Sequence, residues 1–552
     1  MSTSYHGFMK TLLTNGTVVD VINEKLIKAD VLIEKGIIQF VGEATCRPLD
    51  TPPEDIKIID CTNKFLLPSL MDAHVHVESS KLSPAEFARI IIAHGTTAIL
   101  TDPHEIANVL GMDGVDYIAD GLRDTHLNAF VMFPSCVPQV KFDLSGFFGL
   151  AEVMDVQGVL RGDKEIMDKI KATKVAGKPI DGHIVGFSRE QYKQYFSHGI
   201  RTNHEVTTTE EANWTIENGA WVQLRYGSAD KSMPDLIPAI TNDNWRKFSL
   251  CTDDKQANDI LAKGHINESI RILVQHGIDP IRAIAMATLN TAECYGMTER
   301  GSITEGKVAD IVIVDDLQNF NVEKVFIGGK CVLSSSLGTA CGTPPQRKRL
   351  RSSHKSSVAP SQNSIHIPRL TPDNFKPSGD LAIKMLPNSL LTVADTKNNT
   401  SNLIAAIDRY GTSEMTTAWV NGFGFKAGAF AQSISHDDHN IIAIGTSAAD
   451  MAVAVNQLKN IGGGIVVVRD GEVLAELPLP IAGLMSPESV KVVAGQYDAV
   501  RAATHTLGVP KEINVSPMAS FMSLPVIPKI KITAKGVVDV KNGKMLVNSL
   551  DV

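Results

Sequence analysis

The 552-residue sequence lacks the features that would place a protein in a membrane or outside the cell. No uninterrupted apolar run reaches the ~18 residues that a membrane-spanning helix needs. The first residues, MSTSYHGFMKTLLTNG, contain no apolar signal-peptide core. The seven cysteines are odd in number and form no C-x-x-C pair, which favours reduced thiols. We therefore expect a cytoplasmic protein that does not associate with membranes.

Excess positive charge and complete nucleotide-binding motifs are also missing. The net charge of −8 gives no reason to expect nucleic-acid binding. Gly301–Lys307 has most of a phosphate-binding P-loop, but Val308 stands where that loop needs a hydroxyl side chain. Gly422–Gly424 lacks the third glycine of a dinucleotide-binding loop. The H-x-E…P-C-x-x-C signature of zinc nucleoside deaminases is absent as well, so a deaminase would have to use another fold.

The patterns that are present predict an α/β protein with two to four domains. Over residues 65–296, short apolar runs alternate with helical patterns, as in a (β/α)₈ TIM-like barrel. Residues 1–64 contain short strands with turn signals at Asn15-Gly16 and Lys35-Gly36, and the same style returns over 297–333. We predict that these two flanks build one small β domain, and that residues 380–552 form a C-terminal α+β domain.

The segment 334–379 is predicted to be a polar linker. It is rich in Ser, Pro, Gln, Asn and Arg and poor in large apolar residues. Its basic run Arg347–Arg351 has two interpretations, a nucleic-acid or targeting patch and a solvated stretch. Because a single charge run in a polar segment rarely has a further role, the solvated linker is favoured.

The sequence FLLPSLMDAHVHVESS contains the first candidate metal ligands, His74 and His76. Side chains at positions i and i+2 of a strand point to the same side, so these two histidines can chelate one ion. An isolated H-x-H pair can equally be two surface or core histidines. Its position after an apolar strand favours the metal site, because barrel enzymes place their active sites at the C-terminal ends of strands.

Further candidate ligands each follow a short apolar run. They are Glu152 in GLAE, His183 in DGH, His204 in NHE and Asp253 in CTDD. Singly, Glu152 could cap a helix, His183 could lie in a turn, and Asp253 could cap the next helix with Asp254. Together the order H-x-H, Glu, His, His, Asp predicts a metal centre. Imidazole and carboxylate suit zinc, manganese and ferrous iron, and a shared carboxylate can bridge two ions that acidify a water molecule.

Many segments of the chain resemble bacterial adenine deaminases of the amidohydrolase superfamily. They include DAHVHVESS, TDPHEIANV, PSCVP, GLAEVMD, NHE and CTDDK, and in the C-terminal part HDDHNIIAIGT, GGGIVVV, ELPLPIAGLMS and FMSLPVIP. The C-terminal segments discriminate best, because most amidohydrolases lack that domain. The superfamily has H-x-H on its first barrel strand, a bridging acid on the fourth, histidines on the fifth and sixth, and an aspartate on the eighth.

The resemblance implies a binuclear centre of Mn²⁺ or Fe²⁺, with Zn²⁺ as an alternative. His74, His76, Glu152 and Asp253 would hold one ion, and Glu152, His183 and His204 the other. A metal-activated hydroxide would attack C6 of adenine and release ammonia to leave hypoxanthine, a step of purine salvage. Asp253 would shuttle the proton. The resemblance also leads us to expect a homo-oligomer, specifically a dimer.

Several residues have open roles around this centre. Glu205 is the candidate acid for a ring nitrogen, and Glu78 and Glu105 compete for that role. Arg225 and Ser228 shape the pocket or stabilise charge, unless they form an ordinary strand–loop junction. A second dense cluster contains His436, Asp437 and His439. By itself it reads as a surface loop, whereas the resemblance implies a loop that covers the barrel mouth and contacts the purine or an extra metal.

Two other functions compete with adenine deamination. The same pair of metals could hydrolyse a cyclic amide or an N-acetyl group. From a different class, the chain could be a metal-binding pseudoenzyme that acts as a scaffold. The scaffold is disfavoured because every proposed ligand and Asp253 are present, whereas a degraded site should have lost some of them.

Overall fold

The computed structural model describes most of the chain. The described ranges are 10–43, 56–137, 140–228, 230–334, 364–377, 379–386, 391–525, 529–548 and 550–551. The predicted basic run Arg347–Arg351, and most of the predicted linker, lie outside the described residues.

One eight-stranded sheet takes strands from both flanks of the central region. Its strands are β1 (Lys10–Asp20), β2 (Lys25–Glu34), β3 (Ile37–Gly42), β4 (Ile56–Asp60) and β5 (Phe65–Pro68), with β14 (Ile311–Val314), β15 (Val322–Ile327) and β16 (Lys330–Ser334). The order is β16-β15-β14-β5-β1-β2-β3, and β4 pairs with β1. β5, which lies within the range predicted for the barrel, pairs here with β1 and β14 and so belongs to this sheet.

The two predicted turns have different outcomes. Lys35 and Gly36 join β2 to β3 with φ values of 51° and 82°, the positive values that a two-residue hairpin turn requires. The turn predicted at Asn15-Gly16 is wrong, because β1 continues through it with a register shift against β2. Gly16 fits this bulge because a side chain there would collide with Leu66 of β5.

Eight short parallel strands form the barrel. They are β6 (Leu70–Val75), β7 (Thr96–Thr101), β8 (Asn128–Val131), β9 (Leu150–Val153), β10 (Ile180–Gly182), β11 (Thr202–Asn203), β12 (Trp221–Arg225) and β13 (Phe248–Cys251). Parallel ladders pair β7 with β6 and β8, β9 with β10, and β12 with β11 and β13. Parallel bridges connect Phe133 with Leu150 and Val75 with Asp253, and Arg201 N donates to Ile180 O at 2.9 Å. These contacts close the ring and bring the last strand beside the first.

Helices surround these strands. They are α1 (Pro84–Ala93), α2 (His104–Leu110), α3 (Met112–Arg123), α4 (Val156–Arg161), α5 (Lys164–Val175), α6 (Arg189–Ser197), α7 (Thr209–Glu217), α8 (Met233–Leu236), α9 (Ala257–Lys263), α10 (Ile266–Gln275), α11 (Pro280–Met286) and α12 (Leu289–Cys294). Because helices cover the outer face and side chains fill the inner one, every residue of β6, β7 and β9 is buried. No helix among the described residues has the length and apolarity to cross a membrane.

The C-terminal region is built on a nine-stranded sheet. Its elements are β17 (Leu381–Met385), β18 (Thr392–Thr396), β19 (Asn402–Ile407), β20 (Glu414–Asn421), β21 (Ala429–Gln432), β22 (Ile441–Gly445), α13 (Ala448–Asn460), β23 (Gly464–Arg469), β24 (Glu472–Pro478), α14 (Val490–Thr506), α15 (Val515–Ser520), β25 (Ile530–Thr533), β26 (Gly536–Asp539), β27 (Lys544–Asn548) and β28 (Leu550–Asp551). The nine-stranded sheet consists of β17 to β24 and β28, whereas β25, β26 and β27 form a separate three-stranded sheet.

This region is docked on the barrel through α14, which contacts α9 and α1. Backbone hydrogen bonds extend the contact, since Ser83 N donates to Ser486 O at 3.0 Å and Ser486 N donates to Lys81 O at 2.9 Å. Val490 N also donates to the Glu86 carboxylate at 2.7 Å. The docking places loops of the C-terminal region next to the C-terminal ends of the barrel strands.

Candidate active site

Six side chains converge at the C-terminal ends of the barrel strands. They are His74 in β6, His76 directly after it, Glu152 in β9, His183 after β10, His204 after β11 and Asp253 after β13. The barrel strands that carry them are therefore the first, fourth, fifth, sixth and eighth. His183 is half-buried, and the other five are buried.

The H-x-H pair and Asp253 form one group of potential ligands. The Nε2 atoms of His74 and His76 are 3.2 Å apart. Asp253 Oδ1 lies 3.5 Å from His74 Nε2 and 3.1 Å from His76 Nε2. The ring of His76 is held in this orientation by its other nitrogen, because Nδ1 is hydrogen-bonded to Asp102 O at 2.8 Å. This leaves Nε2 directed at the centre, because a hydrogen bond to one ring nitrogen of a histidine orients the other nitrogen toward a metal ion.

Glu152 connects this group to the second pair of histidines. Its Oε1 lies 3.3 Å from His76 Nε2, whereas its Oε2 lies 2.6 Å from His183 Nδ1 and 3.2 Å from His204 Nε2. One carboxylate therefore presents one oxygen to each set of histidines. This is the arrangement that a bridging ligand of two cations needs.

The donor set fits divalent metal ions. The six side chains offer four imidazoles and two carboxylates, and a donor set of this kind suits zinc, manganese and ferrous iron. Burial opposes ionisation of Glu152, but the imidazoles, above all His204 and His183, hold its pKa well below the usual range. The H-x-H pair and Arg225 outweigh burial in the same way and hold the pKa of Asp253 well below its usual range. Both carboxylates are thus ionised at neutral pH, the form that binds a metal.

Arg225 organises the acidic side of the site. Its guanidinium donates to Glu205, to Asp253 Oδ2 at 2.8 Å and to Asp230 Oδ2 at 2.9 Å. Burial opposes ionisation of Glu205, and the charge of Arg225 outweighs it and lowers the pKa of that carboxyl. Glu205 is therefore ionised at neutral pH, and it can protonate a substrate only after it has first accepted a proton.

The other two candidate acids lie on the neighbouring side. Glu78 Oε1 accepts from Ile106 N at 3.1 Å, and Glu105 Oε1 accepts from Ser79 Oγ at 2.7 Å. Burial, followed by the charge of Glu105, raises the pKa of Glu78 to about 8. Glu78 is thus protonated at neutral pH. Both carboxyls line a second cavity next to the main one.

Ser228 is not brought into the main cavity. Its hydroxyl donates to Asp259 Oδ2 at 2.6 Å and accepts from Gln256 N at 2.9 Å. Ser228 N also donates to Asp254 O at 2.7 Å. These contacts fix the loop that follows β12, whereas Arg225 at the end of the same strand does face the cavity.

Two buried residues that sequence reasoning missed adjoin the centre. His104 Nδ1 lies 3.1 Å from Asp102 Oδ2 and 3.7 Å from Glu152 Oε1, and both residues are grouped with His76 and Glu152 as potential ligands. They lie directly after β7, the second barrel strand, in the segment TDPHEIANV. The rule that barrel strands carry chemistry at their C-terminal ends could have identified them.

The predicted loop His436–His439 does reach the barrel mouth. His436 Nε2 lies 3.7 Å from Asp254 Oδ2, Asp437 Oδ1 lies 3.6 Å from His104 Nε2, and His439 Nε2 lies 3.7 Å from Glu105 Oε2. The interpretation as a plain surface loop is therefore wrong, because all three side chains face barrel residues.

Buried Arg409 fixes this loop. Its guanidinium donates to the backbone oxygens of Ser433, His439 and Ala482 at 3.3, 3.1 and 2.8 Å. A cation that satisfies three carbonyl groups pins both ends of the segment around His436. These hydrogen bonds fix the conformation of the loop within the C-terminal region.

The main cavity lies above the ligand cluster and is contributed by both regions. Its empty space is about 590 Å³ when the open solvent at its mouth is included. The barrel side is lined by His76, His104, Glu152, Met154, His183, His204, Glu205, Arg225, Gly227, Asp230, Thr252, Asp253 and Asp254, and the C-terminal side by His436, Asp437, Phe521 and Leu524.

Two family models match the chain. The model described as the amidohydrolase family covers residues 65–332, and the model described as the adenine deaminase C-terminal domain covers residues 383–544. The two matches fall on either side of the predicted linker.

Curated relatives align with nearly the whole chain. The chain is 38% identical to an adenine deaminase of Nitratidesulfovibrio vulgaris and 36% identical to one of Bacillus subtilis, in each case over 96% of this chain and 95% of the relative. Among solved structures, a β-aspartyl dipeptidase of Fervidobacterium islandicum is 19% identical and covers 60% of this chain and 100% of its own, with a TM-score of 0.48.

Proposed function

The chain belongs to the adenine deaminase family of amidohydrolases, and we propose that the cavity at its barrel mouth is where adenine is hydrolysed to hypoxanthine and ammonia. The protein is a hydrolase of a C–N bond in a family that uses divalent metal. The observation that carries the assignment is that one cavity joins the histidine–carboxylate cluster to a loop of the adenine deaminase C-terminal domain.

We assign the ligands to two ions. His74, His76 and Asp253 would hold one, His183 and His204 would hold the other, and Glu152 would supply an oxygen to each, with Mn²⁺ or Fe²⁺ preferred and Zn²⁺ acceptable. Such ions lower the pKa of water and so make it a nucleophile at neutral pH. Glu152 and Asp253 supply negative charge to this cluster, and the buried surroundings keep bulk water from screening it.

Asp253 is positioned to move the proton. The reaction consumes one water, whose oxygen bonds to C6 while one hydrogen leaves with the amino group as ammonia and the other remains on a ring nitrogen. Asp253 Oδ1 faces the two histidines, and its Oδ2 is held by Arg225 at 2.8 Å. We propose that Asp253 accepts the proton of the attacking water and delivers it to the leaving amine.

The second hydrogen of the water must be carried to the ring nitrogen by another group. Glu205 lines the cavity beside His204, 3.5 Å from its Nε2, but it is ionised while it pairs with Arg225. Glu78 is protonated but lies in the adjoining cavity. We propose Glu205 for this step, because it faces the reacting atoms and can pass on a proton that it has first accepted.

We also propose how the chain is divided into domains and that it assembles with copies of itself. The flanking strands, the barrel and the C-terminal region would be separate domains, and the chain would form a homo-oligomer. The reaction would place the protein in adenine catabolism.

The proposed reaction is tested by ammonia release from a substrate panel. Protein loaded with Mn²⁺ or Fe²⁺ should release ammonia from adenine and convert it to hypoxanthine in equal amounts. It should not open hydantoin or dihydroorotate and should not deacetylate N-acetyl sugars. Turnover of one of those compounds in the absence of ammonia release from adenine would overturn the assignment.

The covering loop gives a second test. The double change His436→Ala with His439→Ala should lower kcat/KM for adenine about tenfold or more, because two polar groups that contact barrel residues are lost from the mouth. Metal content should stay at the wild-type level. His276→Ala, at an exposed position on the barrel, serves as the control. If the folded double variant has wild-type kinetics, the loop has only a structural role.

A further inference from the structure

Most of the side chains that line the main cavity are polar or charged, and few are apolar. Among the described residues that line it, the large apolar ones are Met154, Phe521 and Leu524. The remaining lining residues are mostly histidines, carboxylates and Arg225. A flat heteroaromatic ring has polar edges but apolar faces, and those faces are desolvated favourably only against apolar or aromatic groups.

Phe521 forms an aromatic wall with His436. The two rings are stacked, with centroids 5.0 Å apart and an angle of 26° between their planes. Both side chains line the main cavity and also the second cavity that contains Glu78 and Glu105. The stacked pair therefore separates the two cavities. Phe521 is half-buried, and it lines the main cavity.

The wall is fixed before any substrate binds. The backbone oxygen of Phe521 accepts from Lys531 Nζ at 2.9 Å. His436 N donates to Ser520 Oγ at 3.2 Å, and Ser523 Oγ donates to His436 O at 3.2 Å. The turn 521–523 and the loop around His436 thus hold each other in place. A preordered aromatic surface pays little entropy when a ligand packs on it.

From this geometry we infer that Phe521, supported by Leu524, is a specificity-determining residue that packs against the flat face of the substrate ring. The inference rests on the proposed function, since it names the part of the site that selects a planar purine. Saturated rings such as dihydroorotate are puckered and cannot lie flat on a phenyl ring. The aromatic wall thus favours adenine over puckered saturated rings such as dihydroorotate.

The test separates binding from chemistry. Phe521→Ala should raise KM for adenine and Kd for the product hypoxanthine about tenfold to a hundredfold, the range found when a base loses an aromatic stacking partner. The change in kcat should be much smaller, and metal content should not change. Phe521→Tyr should restore most of the affinity, and Phe521→Leu should give an intermediate value. Phe142→Ala, which removes a half-buried phenyl group outside the cavity, should leave KM, Kd, kcat and metal content unchanged.

The outcomes distinguish this inference from the function on which it rests. If wild-type protein releases no ammonia from adenine, the proposed function fails. If wild-type protein deaminates adenine but Phe521→Ala keeps its KM and Kd, only the inference fails. A fall in kcat with unchanged KM and Kd would also overturn it, because that result assigns Phe521 to loop support. If Phe521→Ala does not fold, the comparison of Phe521→Leu with Phe521→Tyr decides the question in the same way.

Discussion

Replacing Asp253 by Asn should lower kcat for adenine by about 10²–10⁴-fold, the usual effect of losing a general base. Asn keeps an oxygen that can face the metal beside His74 and His76, but the amide cannot accept the proton of the attacking water. The other ligands remain in place, so most of the bound metal should be retained. The prediction is therefore a large loss in kcat with little change in metal content, measured by steady-state kinetics and elemental analysis.

The control for this experiment is Asp259→Asn. Asp259 also carries a carboxylate, which is half-buried in α9, where it pairs with Ser228 and Lys263 and does not line the cavity. Its replacement should leave kcat near the wild-type value. Near-normal turnover by Asp253→Asn would mean that another group accepts the proton, and Glu205→Gln would then be the next variant to measure. Loss of metal together with activity would instead make Asp253 chiefly a ligand.

The metal ligands could be predicted from the sequence because short-range geometry determines where they point. His74 and His76 share a side through the two-residue period of a strand, and Glu152 and Asp253 each lie at the end of an apolar run. The closed barrel then brings all strand ends together. The same reasoning applies to Asp102 and His104, which also follow a barrel strand. In their segment, TDPHEIANV, only Glu105 is predicted from the sequence as a candidate.

Other parts of the site depend on contacts that no local pattern specifies. Phe521 reaches the cavity only because the C-terminal region docks on the barrel, more than 250 residues away in sequence from Asp253. Ser228 follows a strand end like the true lining residues, yet its hydroxyl turns to Asp259. Asn15-Gly16 has the composition of a hairpin turn, but a neighbouring strand makes it a bulge. In each case tertiary packing decided between alternatives that the local sequence allows.

The H-x-H pair should also prove indispensable for metal binding. The double change His74→Ala with His76→Ala removes two of the imidazoles that face Asp253 and Glu152 and should abolish measurable turnover. The pair belongs to the ion site shared with Asp253, whereas His183 and His204 would still face the other oxygen of Glu152. Bound metal should therefore fall from about two equivalents to one or fewer.

Elemental analysis after removal of loosely bound ions measures this loss, and circular dichroism checks that the variant is folded. The control is His198→Ala with His276→Ala, which removes two histidines that lie outside the cavity and outside the groups of potential ligands. This control should keep both metal and activity.

Removing the H-x-H imidazoles also leaves Glu152 and Asp253 buried with fewer partners, so a loss of stability of the metal-free variant is expected as well. Unchanged metal content in the folded H-x-H variant would refute the ligand assignment, since both ions would then be bound without the imidazoles of His74 and His76.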